Sequence, residues 1–97
     1  MIIRCAHGTA LVAVLLAASP AAAQTAIPIG VSSCSGCHAP AGTTAIPALR
    51  GLPIADFVAS MLAFRTGTRP ATVMDRIAKG FGEDEIQAMA AWFAGQR

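Results

Sequence analysis

Five consecutive residues, Cys34-Ser35-Gly36-Cys37-His38, carry the chemistry of this chain. Two thiols three positions apart on a helical turn project from one face. An imidazole follows at the next position. This is the Cys-x-x-Cys-His spacing of covalent haem attachment. The thiols of Cys34 and Cys37 can add to the two vinyl groups on one edge of a haem, giving two thioether bonds. His38 then reaches the iron as proximal ligand. Ser35 and Gly36 keep the turn small and let the macrocycle approach the backbone. Other chemistries use similar residues. A thioredoxin-like redox pair follows a strand in a βαβ pattern, and no strand pattern precedes this one. A structural zinc needs four ligands, and beyond residue 23 the chain has two Cys and one His. A simple disulfide stays open on spacing alone.

The segment ahead of the motif reads as an export signal. Arg4 gives a short positive region, residues 10–18 are apolar, Ser19-Pro20 breaks the run, and Ala21-Ala22-Ala23 is a small-residue cleavage site before Gln24. That is the order of a secretory signal peptide. The apolar run is shorter than the ~20 residues needed to span a bilayer. Residues 1–23 are therefore expected to be removed, and Cys5 and His7 with them. The expected location is the periplasm. The mean hydropathy of +0.59 is inflated by this segment and by many alanines.

Residues 24–97 then form one domain of 74 residues. It carries six basic and five acidic residues, a formal charge of +1. No basic block or interleaved aromatic pattern points to nucleic acid, and no membrane span is expected after cleavage. So short a chain has trouble burying enough apolar surface and usually needs a staple. A flat, mostly apolar haem held by two covalent bonds is such a staple.

The elements that must place the motif are helical, and the expected fold is all-α. A short first helix is expected over about Gly30 to Cys37. Residues 39–53 are punctured by Pro40, Gly42, Pro47, Gly51 and Pro53 and read as loop. A second helix runs from about Ile54 to Thr66, with Phe57, Met61 and Phe64 at helical spacing on one face, and Gly67 ends it. Residues 68–73 contain Pro70 and read as loop. A short helix covers Met74 to Lys79. The last helix opens with Glu83, Asp84 and Glu85, where negative charge suits exposed backbone N–H groups. Ile86, Met89, Ala90 and Phe93 form its buried stripe, and Gly95 closes it. Trp92 and Phe93 are expected between the terminal helices and against the haem.

The second axial ligand follows by elimination. His38 is the one histidine beyond residue 23, so a second imidazole from the same chain is excluded. A methionine, Lys79 or an open site remains. Met61 and Met89 sit on apolar helix faces and read as core. Met74 follows the Pro70 loop beside Asp75 and Arg76, outside any long apolar stripe, and is favoured. A thioether opposite a histidine stabilises ferrous iron and raises the reduction potential.

The chain from about Cys34 to Phe93 resembles a class I cytochrome c. More narrowly it is similar to the domains of cytochrome c4 and of the cytochrome subunit of flavocytochrome c sulfide dehydrogenase. The residues carrying this are Cys34-Ser-Gly-Cys-His38, Ile46-Pro47-Ala48-Leu49-Arg50-Gly51-Leu52, Phe64-Arg65-Thr66-Gly67-Thr68-Arg69, Met74-Asp75-Arg76-Ile77-Ala78-Lys79-Gly80-Phe81, and Glu83-Asp84-Glu85-Ile86 followed by Ala90-Ala91-Trp92-Phe93. The resemblance implies about four short helices around one covalent haem c, with Met74 as distal ligand. It also implies that the carbonyl of Pro47 accepts the Nδ1–H of His38, which fixes the ring and strengthens it as a donor. The chain departs from the pattern in having one haem motif where cytochrome c4 carries two haem domains. Gly82 stands where the family has a serine helix cap.

The implied function is one-electron transfer between ferric and ferrous iron, not catalysis, because two protein ligands leave no open coordination position. The expected donor is a periplasmic dehydrogenase, such as a flavoprotein oxidising sulfide. The expected acceptor is another cytochrome or an oxidase. Arg65, Arg69, Arg76 and Lys79 are placed to steer an acidic partner. The alternative class is a haem enzyme or gas sensor with an open or labile distal site.

Overall fold

The last helix organises the core, because it is the element with the clearest apolar stripe. In the computed structural model, which describes residues 26–97, α4 runs over Glu83–Ala94. Its three leading carboxylates lie in the first turn. There the Glu85 side chain accepts the Gly82 N–H at 2.7 Å. Glycine at this cap has no side chain to return a second bond, yet costs only a few tenths of a kcal/mol against serine. Ile86, Met89, Ala90 and Phe93 are all buried. Ile86 and Met89 are sealed completely, each contributing about 1.5–3 kcal/mol from burial.

The second long helix, α2, covers Ile54–Thr66, the span that the sequence pattern gives. Asp56 sits in its first turn and Arg65 in its last, both complementing the helix dipole. Phe57 and Met61 face the core. Phe57 stacks on Phe93 of α4 at 5.7 Å between centroids, and Trp92 meets Phe93 edge-on at 5.0 Å. Through these rings α2 packs against α4, and it packs equally against α3, Met74–Ala78. The all-α expectation holds, with no strand among the described residues.

The first helix, α1, is Val31–Ser35, shorter than the expected span. The reason is a converging carbonyl. Cys37 N–H and His38 N–H both donate to Cys34 O, at 3.2 and 2.9 Å, which tightens the chain into a turn and ends the helix inside the motif. Gly30 starts α1 with φ of 103°. A Cβ there would stand 2.7 Å from the Phe81 ring and 2.8 Å from Met89 Sδ. Only glycine allows the motif to enter so close to the core. The loop between α1 and α2 is tied down at its far end, where Gly51 N–H donates to Phe93 O at 2.9 Å. The signal reading of residues 1–23, and cleavage before Gln24, fall outside the described residues.

Candidate cofactor site

A cavity of about 540 Å³ opens between α1, the following loop, α2 and the start of α3. That is within the roughly 300–1,000 Å³ of small-molecule and cofactor sites. Cys34, Cys37 and His38 stand on one part of its wall, Pro47 beside them, and Met61 and Met74 also line it. Residues forty positions apart in sequence therefore share one enclosed space. Most of the remaining wall is apolar, with Leu49, Leu52, Phe57, Phe64 and Ile77 on it.

The two cysteines are free thiols in different settings. Cys34 is half-buried and Cys37 exposed. Burial pushes the Cys34 thiol above its usual pKa, against an opposing backbone hydrogen bond. Desolvation disfavours the thiolate here, so Cys34 stays a protonated thiol at neutral pH. The turn leaves both thiols on the lining of the same cavity.

His38 is fixed by its backbone and by its ring. Its Nδ1–H donates to the Pro47 carbonyl at 2.6 Å. With the proton on Nδ1, the Nε2 lone pair is the one left for a metal. The loop that presents Pro47 is itself built by close hydrogen bonds. Gly42 N–H donates to Ala39 O at 2.9 Å, and Thr43 N–H to Ile46 O at 2.6 Å. The Thr43 hydroxyl accepts Ile46 N–H at 2.9 Å. Gly42 has φ of 66°, and a Cβ on it would collide with the backbone of Ala48 and Pro47. Replacing Gly42 with alanine is therefore expected to displace the Pro47 carbonyl and cost about 1–3 kcal/mol. Chemical denaturation reads the loss, and a downfield shift of the His38 Nδ1–H resonance in the native protein, absent in the variant, reads the bond.

The three candidate methionines separate. Met89 is sealed in the core away from the cavity lining. Met61 is buried in α2 yet touches the cavity. Met74 is half-buried at the first position of α3, with Val73 exposed just before it.

No family model matches the chain. Similarity to curated proteins is found instead. Over 63 residues the chain is 36% identical to the cytochrome subunit of sulfide dehydrogenase of Chlorobaculum tepidum, covering 63% of this chain and 57% of that protein. Over 70 residues it is 37% identical to the thiosulfate dehydrogenase electron acceptor of Stutzerimonas stutzeri, covering 66% of this chain and 32% of that protein. The resemblance to small c-type cytochromes holds. The chain spans a little over half of the first relative and about a third of the second.

A cytochrome-like site must accept a haem, and the donor set fits one. Two thiols, one imidazole with its Nδ1 engaged, and thioether sulfurs line a mostly apolar space. A Cβ at Gly36 would meet nothing closer than Ser33 O at 3.5 Å. The polypeptide alone therefore does not require glycine there, which leaves the approach of a flat cofactor as the reason for a small residue. Two expectations need revision. Trp92 and Phe93 do not line the cavity. Phe57 and Phe64 do, and Phe93 stands behind Phe57 in the core. Arg69, expected on the partner-steering surface, lines the cavity, while Arg76 and Lys79 are exposed. The sequence signal that could have found Phe57 and Phe64 was available: both lie on the same face of α2 as Met61.

Proposed function

We propose that residues 24–97 form a periplasmic one-electron carrier that holds one haem c, covalently, through Cys34 and Cys37. The observation that carries this reading is the convergence of both thiols, His38 and Met74 on one apolar cavity. Bound there, the cofactor supplies a ferric/ferrous couple. His38 Nε2 is the proximal ligand, and its bond to Pro47 O orients the ring and increases its donor strength. Met74 Sδ is the distal ligand. With both axial positions taken by the chain, its residues exclude a substrate from the metal and leave outer-sphere transfer. Phe57, Phe64 and Leu52 keep water from the interior. Ile46 and Val73, 37% and 50% exposed, belong to the lining and give the mouth an apolar rim. Such a rim suits a small, transient redox interface.

The relatives' names point to the partner class. The electron donor is a dehydrogenase that oxidises a reduced inorganic sulfur compound, with a flavoprotein as its electron-delivering chain, and another cytochrome or an oxidase takes the electron onward. No helix of the described residues is long and apolar enough to cross a membrane. Exposed Arg76 and Lys79 contribute to steering an acidic partner face.

Expression in a host that matures covalent haem proteins tests this. Periplasmic material is expected to have the mass of residues 24–97 plus one haem, to take up one electron reversibly, and not to bind carbon monoxide rapidly when reduced. A mass equal to bare polypeptide overturns the haem. Rapid carbon monoxide binding by the native protein moves the reading to an open-site enzyme or sensor.

A further inference from the structure

Arg69 is the single Lys, Arg, Asp or Glu on the cavity lining, and electron transfer through two axial ligands leaves it without a task. Its position is built. After α2, the Thr66 and Thr68 hydroxyls and the Arg69 N–H all donate to Ala63 O, at 3.4, 3.3 and 3.2 Å. The chain thus doubles back over the helix it has just left. The guanidinium comes to rest against α2, with Nη1 donating to Ser60 Oγ at 3.0 Å and Cζ lying 4.8 Å over the Phe64 ring. Ser60 and Phe64 line the same cavity. No carboxylate among the described residues pairs with Arg69; its polar side-chain contact is the Ser60 hydroxyl.

A guanidinium presents five N–H donors in a rigid fork matched to a carboxylate. Here Ser60 occupies one donor and Phe64 one face, so most of the fork remains. A cation set on an otherwise apolar wall is costly unless an anion meets it. We infer that Arg69, held by Ser60 and Phe64, binds a propionate carboxylate of the cofactor at the cavity mouth and raises the reduction potential of the iron. This rests on the haem reading above. The sign follows from charge. An unpaired propionate stabilises ferric iron, and a guanidinium paired with it cancels that preference and favours the ferrous state. A unit charge acting over ~10 Å at an effective dielectric of about 20 shifts such an equilibrium by roughly tenfold.

The test uses haem-loaded wild type, R69Q, R69K, S60A and R65Q. Arg65 is the neighbouring cation of α2 and does not line the cavity. Resonance Raman reads the propionate bending bands, and equilibrium redox titration reads the potential. R69Q is expected to move the bands to those of an unpaired carboxylate and shift the equilibrium about tenfold toward ferric, or about 59 mV for one electron. R69K is expected to recover most of the potential, since the charge is kept, and not the band pattern, since the fork is lost. S60A should move both readouts part-way. R65Q should leave the bands in place. Should R69Q not mature, R69K and S60A carry the test through the bands. Bands unmoved in every Arg69 and Ser60 variant overturn the inference while the haem reading stands. The same holds if R65Q reproduces the effects of R69Q. Absence of covalent haem from wild type sinks the haem reading itself, and this inference with it.

Discussion

Replacing Cys34 and Cys37 together with serine is expected to give a colourless chain that no longer melts cooperatively. The site walls explain why. From Ser32 to Arg50 not one residue is buried, so this whole segment has nothing of its own to pack on. The rest of the core is eight buried residues, seven of them on α2, α3 and α4. Left empty, an apolar space of about 540 Å³ would cost on the order of 10 kcal/mol at ~24 cal/mol per Å³. That rivals the ~5–15 kcal/mol stability of an entire small domain. Water entering the mouth lowers the cost but wets Phe57, Phe64 and Leu52 instead. Far-UV circular dichroism against temperature is the measurement. A colourless variant with a sharp native-like transition would show that the polypeptide core suffices, and the cofactor would lose its structural role.

Met74→Ala is expected to open the distal side of the site. The reduced variant should bind carbon monoxide rapidly, lose the far-red sulfur-to-iron band of the ferric protein, and drop in potential by tenths of a volt, within the ~0.8 V range that axial ligands command. Met61→Ala is the informative companion, because Met61 also lines the cavity. Met61 is 5% exposed inside α2, packed in the core. Its loss should cost about 2–5 kcal/mol as a core truncation and leave the far-red band in place. The opposite pairing, with the band lost in Met61→Ala and kept in Met74→Ala, would transfer the distal role to Met61.

Local chemistry is what this sequence specifies by itself. Spacing alone put Cys34, Cys37 and His38 on one turn. The span of α2 was readable because Pro53 precedes it, Gly67 follows it, and its apolar residues recur at helical period. The same is true of α4, where acidic residues, an apolar stripe and Gly95 mark both ends and the buried face. These are signals carried within four or five residues, where backbone geometry and capping dominate.

Long-range placement was decided only in three dimensions. Sequence periodicity assigned Trp92 and Phe93 to the core, but not that Phe57 and Phe64 would stand between them and the cavity. That order depends on how α2 crosses α4. Charge counting put Arg69 with the partner-facing cations. Its real position follows from three donors meeting at Ala63 O, which fold the chain back on α2. The helix of the motif stops early because two N–H groups share the Cys34 carbonyl. A one-dimensional pattern records which face of a helix is apolar. Which neighbour covers that face, and which side chain a returning loop presses against it, is settled by packing between segments that the pattern treats as independent.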